Sequence, residues 1–235
     1  MKIIIPMAGL GSRFPRSQYP TKPLIDVAGK PMIIKAVESL DLDGKYYFVI
    51  RKDKSVDEIK DRVNGMVDST FIEIDHITEG PAVTALMCEK YLDKDDELVI
   101  ANCDQIMEWN SKLFLHNARL YDGCVVTYHS HTPKNSYARL DKKGNVVEIK
   151  EKEVISNVSL NGIHYWNKAQ YFIDSATKMI EANDRAPNNE FYVAPTYNYM
   201  IRQGLTVGIF HIPNEQHNAV GTPEDLITYL KNDRM

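Results

Sequence analysis

Cysteine is scarce in this chain: Cys88, Cys103 and Cys124 are the only three in 235 residues. An odd count with no CxxC pair supplies neither a disulfide framework nor a structural zinc site, and it fits a reducing compartment. Long apolar runs are also missing. Nothing approaches the ~18 continuous apolar residues that span a bilayer, and the opening "MKIIIPMAGLG" is too short in its apolar part, and too early broken by Pro6, to read as a secretory signal. Positive charge is not in excess. With 28 Lys and Arg against 32 Asp and Glu, the net charge is −4, so no global field draws the chain to nucleic acid or to an anionic membrane, and any basic site is local. No Ser/Gly linker, low-complexity tract or internal repeat interrupts the sequence. What these absences leave is a cytoplasmic protein without nucleic-acid or membrane partners, long enough for one sizeable core.

What is present is an alternation of short β-rich apolar runs with helical patterns. "KIIIPM" (2–7), "KYYFVI" (45–50), "TFIEID" (70–75), "ELVIA" (97–101) and "GCVVTYH" (123–129) read as strands. Between them, "PMIIKAVESL" places Pro31 at a first helical position, and "SVDEIKDRV" carries Ser55 and Glu58 at capping-box spacing. "PAVTALMCEKYL" and "NSKLFLHNARLY" supply two more helices. This rhythm implies crossover units, a mostly parallel central sheet and helices on both faces, a doubly wound α/β class. After about residue 130 the pattern changes to two short strands around a Lys-Gly-Asn turn, then "VSLNGIHYW", helices near 168–183 and 192–203, "TVGIFHI" and a last helix from Pro223. The simplest organisation is one domain over 1–235, the second half adding a small β-rich extension.

The stretch "MAGLGSRFPRSQYPTKPL" leaves the first strand, and in an open parallel sheet ligands bind beyond the carboxyl ends of the strands. Gly9 and Gly11 allow close backbone approach to an anion, Ser12 adds a hydroxyl, and Arg13 and Lys22 add charge. The spacing is not GxGxxG, because Phe14 stands where the third glycine would be, and it is not a P-loop. Alone, the GxG reads equally as a structural turn. Followed by Lys22-Pro23-Leu24 and by Gly29-Lys30-Pro31-Met32, it is a longer constellation than turn chemistry requires.

With "AGLGSRF", "KPLIDVAGKPMI", "EGPAVTAL", "NCDQ", "EIKEKEVIS", "SLNGIHYW", "NNEFYVAPTYN" and "VGTPEDL" spread over nearly the whole chain, the sequence resembles the nucleotidyltransferase family of sugar-phosphate nucleotidylyltransferases. It is most similar to the branch found among capsule and surface-polysaccharide biosynthesis proteins. The resemblance implies a Rossmann-like three-layer fold, with a nucleotide-binding half over about 1–130 and an acceptor-binding half over about 131–235. It also implies Mg²⁺-assisted attack of an acceptor phosphate on the α-phosphorus of a nucleoside triphosphate, with pyrophosphate leaving. Such chemistry needs positioning and charge neutralisation rather than a side-chain nucleophile.

Carried onto this chain, the resemblance places the nucleotide against Ala8, Gly9, Leu10, Gly11 and Ser12, with Arg13 on the leaving pyrophosphate and Glu79 and Gly80 beside the base. Lys22 stands between the α-phosphate and the incoming phosphate, and Asp104 is the metal ligand. Relatives with two metal aspartates usually carry the second two residues before the glycine of the late "GT" motif; here that position is Ala219, with Glu215 and Asp225 nearby. A glutamine that reads a pyrimidine edge in many relatives is also missing, near Val83, and the base assignment leans only slightly toward CTP or UTP.

The resemblance assigns the acceptor phosphate to Lys152 of the Glu151-Lys152 pair, with Asn161, Gly162 and Glu190 as further contacts, although "KEKE" taken alone is an ordinary solvated charge run. His164, Tyr165 and Trp166 either line the acceptor pocket or pack its wall, and His76, His129 and His131 lack metal-ligand spacing. The middle of the opening stretch, "FPRSQYP", is expected to be a lid. A homo-oligomer is compatible with all of this. Two other classes stay open: a nucleotide-sugar-dependent glycosyltransferase, for which "NCDQ" lacks the usual DxD, and a non-catalytic nucleotide-binding regulatory module, which Ala219 makes conceivable.

Overall fold

The computed structural model describes residues 1–15, 21–53 and 55–232. In chain order the first half comprises β1 (Lys2–Pro6), a 3-10 turn (Lys22–Leu24), the small hairpin β2 (Asp26–Val27) and β3 (Lys30–Pro31), α1 (Met32–Leu40), β4 (Lys45–Arg51) and α2 (Val56–Val63). It continues through β5 (Asp68–Ile74), α3 (Pro81–Leu86), β6 (Leu98–Ala101), β7 (Gln105–Met107), α4 (Ser111–Ala118) and β8 (Gly123–His129). The second half adds β9 (Ser136–Leu140), β10 (Val146–Glu151), β11 (Val158–Trp166), α5 (Ala169–Glu181), α6 (Thr196–Arg202), β12 (Val207–His211), β13 (His217–Ala219) and α7 (Pro223–Asn232). No described helix is long and apolar enough to cross a membrane. Most of the expected lid falls on residues 16–20 and lies outside the described residues.

One mixed sheet runs through both halves of this α/β fold. β5, β4, β1 and β6 lie side by side and parallel, with Ile4 of β1 opposite Tyr47 on one side and Ile100 on the other. β11 then enters antiparallel to β6, β8 pairs antiparallel with β11, and β12 runs parallel to β8. The β9–β10 hairpin joins through Ser159, in the amino-terminal half of β11.

Period-2 geometry divides the core between the two faces. Ile4 and Ala8 of the first strand and the loop after it, Tyr47 and Val49 of β4, and Leu98 and Ile100 of β6 pack on one face with α3, α5 and α6. Their neighbours Ile3, Ile5, Tyr46, Phe48, Val99 and Ala101 pack on the other, with α1, α2 and α4. A strand covered on both faces reads as an unbroken apolar run, which is why "KIIIPM" shows no polar alternation. A third, smaller core gathers Phe14, Ile25, Val27, Met32, Ile106, Val220, Leu226 and Tyr229. It binds the loop after β1 to the β2–β3 hairpin, β7 and α7.

Two local expectations are corrected. The hydroxyl of Ser55 donates to Asp53 and does not cap α2, because the Asx-type turn at Asp53 takes it first. Pro31 is the residue before α1, not its first, because it closes the hairpin strand β3 opposite Asp26.

Candidate active site

The carboxyl ends of β1 and β6 open onto the same edge of the sheet, and the chain leaving β1 there is fixed at two points. Met7 N donates to Val49 O (2.9 Å) and Ala8 is buried. After the turn in which Phe14 N donates to Gly11 O (3.0 Å), the ring of Phe14 is sunk into the third core. Between these anchors residues 9–13 project outward. Among the described residues their five backbone N–H groups donate to no protein acceptor, which is the condition an anion-binding loop needs. A cleft of about 250 Å³ beside the loop has Thr21 and Lys22 on one wall. Arg51, the last residue of β4, and Asp53 just past it form the other wall, and nothing in their sequence context marks them.

Lys22 opens the 3-10 turn with Pro23 buried behind it. Its side chain is 14% exposed, and the ammonium donates to Asp104 Oδ2; Arg13 Nη2 lies 3.7 Å from the same oxygen. Burial of the Asp104 carboxyl would raise its pKa, but the charge and hydrogen bond of Lys22, with the charge of Arg13, outweigh that and hold it below the ordinary carboxylate range. The carboxylate is therefore ionised. One of the three ammonium hydrogens of Lys22 is spent on it, leaving two for phosphate oxygens. Val220 N donates to Asp104 O (2.9 Å), and Gly221 packs so closely that a Cβ there would lie 2.6 Å from Asp104 Oδ2. The late "GT" glycine thus makes room for this carboxylate. Ala219 pairs with Gln105 across β13 and β7, and Asp225 is 3.7 Å from Lys134.

Glu79 and Gly80 precede α3. The carboxylate of Glu79 is ion-paired with Arg185, and its carbonyl accepts from Phe191 N (2.8 Å). Gly80, at φ +133°, is covered: a Cβ there would meet Phe191 O at 2.4 Å. The close backbone approach that the sequence offers to a base edge is thus taken by the chain itself.

Two of the residues expected on the acceptor side, Lys152 and Glu190, meet at Tyr192. Lys152 Nζ donates to Tyr192 Oη (2.6 Å) and lies over its ring, 4.5 Å from the centroid. Tyr192 Oη donates to Glu190 Oε2 (2.8 Å), while Asn188 Nδ2 donates to both Glu190 (2.6 Å) and Tyr192 (3.0 Å). Glu151, next to Lys152, is buried and accepts from Ser136 Oγ; burial raises its pKa, Ser136 and Lys152 oppose the rise, and the net shift is upward. Nothing in the sequence singles out Tyr192, which "NNEFY" offers as one of many aromatics.

Asn161 and Gly162 occupy the irregularity in β11 between Leu160 and His164. Asn161 is buried, its Oδ1 accepting from Ile163 N (2.9 Å) and its Nδ2 facing Met107 Sδ (3.5 Å). Gly162, at φ +95°, lies against Asn102, whose amide a Cβ would overlap at 2.2 Å. His164, Tyr165 and Trp166 pack the wall: all three are buried, with Trp166 stacked on Tyr197 at 4.7 Å. His76 pairs with Asp75 at the surface, and His129 meets His211 edge-on. Three groupings result: Arg13, Lys22 and Asp104; Glu151, Lys152 and Glu190; and Glu79 with Gly80, tied to the loop that carries Glu190.

An α/β sheet whose strand ends carry an open amide loop, a partly buried Lys-Asp pair and a flanking arginine defines a phosphate-handling enzyme of the nucleotidyl-transfer class. The chain belongs to the nucleotidyl transferase family, whose sequence profile matches residues 2–233. No curated protein sequence matches it. Among solved structures, the nucleoside-diphosphate-sugar pyrophosphorylase of Vibrio cholerae is similar at 20% identity and a TM-score of 0.87, covering 97% of this chain and 99% of that one. An inositol-1-phosphate CTP transferase of T. maritima is similar at 14% identity and a TM-score of 0.74, over 98% and 96% of the two chains. A UDP-glucose pyrophosphorylase is similar at 14% and 0.77, over 99% and 98%. At these identities the shared property is the fold.

Proposed function

We propose that this enzyme is a nucleotidylyltransferase of the nucleoside-diphosphate-sugar pyrophosphorylase type. It transfers a nucleoside monophosphate from a triphosphate to a sugar 1-phosphate or a similar phosphorylated small molecule, releasing pyrophosphate. The observation that carries this reading is the pairing of Lys22 with Asp104, flanked by Arg13, beside the open amides of residues 9–13. CTP or UTP is the slightly favoured donor; the names of the similar structures divide, two carrying CTP and UDP and a third a thymidylyltransferase. Residues 1–130 hold the nucleotide and residues 131–235 the acceptor, within one cytoplasmic domain that serves surface-polysaccharide precursor synthesis.

In the reaction an acceptor phosphate oxygen attacks the α-phosphorus in line as the bond to pyrophosphate breaks. The amides of residues 9–13 hold the triphosphate, and Arg13 neutralises the leaving group. Lys22 reduces the repulsion between the two phosphates as they approach and stabilises the charge spread over the transition state. Lys152 holds the acceptor phosphate and Glu151 and Glu190 face its hydroxyls. Among the described residues no group of three or more His, Cys, Asp or Glu is gathered to hold a metal. The residues present suit a hard cation such as Mg²⁺ that takes one carboxylate, Asp104, and completes its shell with phosphate oxygens and water. When bound there it would add Lewis-acid stabilisation of the phosphate charge.

The test is pyrophosphate release with Mg²⁺, each nucleoside triphosphate and a panel of sugar 1-phosphates and phosphorylated polyols. Acceptor-dependent release supports the reading. Binding without turnover across the panel favours a regulatory module, and transfer from a nucleotide sugar would make the protein a glycosyltransferase. Asp104→Asn is expected to raise the Mg²⁺ concentration needed for half-maximal rate; an unchanged titration moves the metal elsewhere.

A further inference from the structure

The segment over residues 185–192 joins the two sides of the site. At one end it is strapped to the loop before α3: Phe191 N donates to Glu79 O (2.8 Å) and Ala82 N donates to Phe191 O (3.0 Å). Arg185 reinforces that strap by pairing with the Glu79 carboxylate, stacking 4.0 Å over the Phe191 ring and donating to Asn189 O (3.0 Å). One residue beyond Phe191, the other end holds Lys152 through Tyr192.

The hydrogen-bond directions around Tyr192 are fully determined. A phenol has one donor and two acceptor positions. Lys152 and Asn188 can only donate to it, so its own hydrogen goes to Glu190. Every position is filled. Burial, followed by the hydrogen bond to Glu190, raises the pKa of Tyr192 and keeps the hydroxyl protonated at neutral pH. The ring meanwhile supplies a cation–π face to the same ammonium, 4.5 Å from its centroid. Lys152 itself sits at φ +58°, a left-handed backbone conformation that aims its side chain toward this partner. A flexible four-carbon stem is thereby reduced to one direction, with two ammonium hydrogens left over.

We propose that Tyr192 is a positioning residue for the acceptor-binding Lys152, and that the strap from Arg185 to Phe191 fixes Tyr192 relative to the loop at Glu79 and Gly80. The role given to Lys152 rests on the function proposed above; the Tyr192–Lys152 link does not. Two measurements keep them separate. Lys150 is exposed and two residues away, so brief acetylation with acetic anhydride, read by mass spectrometry as the ratio of Lys152 to Lys150 labelling, reports the hold on Lys152 with an internal reference.

In the unmodified protein Lys152 is expected to label several-fold more slowly than Lys150. Tyr192→Phe, which keeps the ring and volume, is expected to erase most of that difference with little change in melting temperature. Arg185→Met should move the ratio the same way by a smaller factor. A Tyr192→Phe ratio equal to that of the unmodified protein overturns the positioning role, and a ratio unmoved by Arg185→Met removes the strap. In turnover, Tyr192→Phe is expected to raise KM for the acceptor about tenfold, the loss of one hydrogen bond to a charged group, with KM for the nucleotide within about twofold. KM values that rise together, or not at all, overturn the proposal. Absence of turnover with every substrate pair defeats the functional reading, and the labelling ratio still decides the role of Tyr192.

Discussion

On the proposed nucleotide side, residues 9–13 present backbone N–H groups that, among the described residues, have no protein partner, and the side chains brought to a focus beside them are Arg13, Lys22 and Asp104. On the proposed acceptor side the polar side chains are already bonded to one another: Lys152 to Tyr192, Tyr192 to Glu190, Asn188 to both, and Glu151 to Ser136. Backbone amides read what all nucleoside triphosphates share, and they depend on sequence mainly through glycine. A side-chain network reads one ligand's shape, and each member can be exchanged. The two regions therefore differ in what a single substitution can change: a backbone amide survives most side-chain replacements, whereas each member of the Tyr192 network is lost with its residue.

The largest expected effect tests the nucleotide side. Lys22→Ala removes the partly buried cation of that cluster, and loss of a transition-state donor of this kind lowers turnover by about 10²–10³-fold. Pyrophosphate release is the measurement, with circular dichroism to verify that the fold persists. A rate within about threefold of the unmodified enzyme would take Lys22 out of the chemistry.

Glycine substitutions sharpen the comparison next. Gly80 has a φ that L-residues avoid and no room for a Cβ, so Gly80→Ala should lower unfolding stability by about 3 kcal/mol. At Gly9 a Cβ would meet nothing within 4 Å, and φ is not positive. Gly9→Ala should therefore leave stability within about 0.5 kcal/mol and weaken nucleotide binding. Urea denaturation and nucleotide titration of the two variants would show opposite patterns; a destabilised, normally binding Gly9→Ala would refute the division.

How much of this is readable in the sequence follows from element length and from the kind of contact involved. The parallel strands β1 and β4 are legible because burial on both faces demands an unbroken apolar run, and residues 3–5 and 46–50 supply it. The β2–β3 and β7–β13 pairs are not, since two or three residues cannot display a period. Strand direction is also silent: "VSLNGIHYW" reads as a strand, but nothing in it says that β11 enters antiparallel between β6 and β8. Lys22 and Asp104 can be picked out through their neighbours in sequence, and they meet in space. The partnership of Lys152 with Tyr192 joins residues 40 apart through one hydroxyl, and local sequence carries no trace of it.

Acid stability provides a further contrast, because the acceptor-side wall buries a histidine. His164 is 6% exposed, and burial depresses its pKa to about 3. Unfolded, it titrates near ~6.5. Its stabilising contribution is therefore complete above that pH and is lost as pH falls toward 3, by about 2–3 kcal/mol at pH ~4.5. His217, depressed to about 4 by burial against the opposing charges of Asp104 and Asp225, acts in the same direction. Urea denaturation at pH ~7.5 and ~4.5 should show a smaller loss for His164→Leu than for the unmodified protein. Comparing the two pH values within each protein cancels the packing effect of the substitution, and equal losses would mean that His164 does not carry the acid sensitivity.

The smallest expected effect concerns Glu151, where binding and stability pull apart. Its folded-state pKa is raised, chiefly by burial, with the nearby Glu190 adding to the rise and Ser136 and Lys152 opposing it. A carboxyl whose pKa is higher in the fold than in the unfolded chain favours folding while protonated. That contribution is present in full below the unfolded pKa and is lost as pH rises through the folded one. At neutral pH the ionised carboxylate is thus held at a cost to stability. Glu151→Gln removes the charge while keeping the shape and an acceptor for Ser136, so it should raise the melting temperature at pH ~8, with the gain shrinking as pH falls toward ~4. The same variant should weaken acceptor binding if a carboxylate is needed for the acceptor's hydroxyls. A gain in stability that is equal at both pH values would show that packing, not ionisation, sets the effect. A gain confined to high pH together with a raised acceptor KM would identify Glu151 as a charge kept for binding at the expense of the fold.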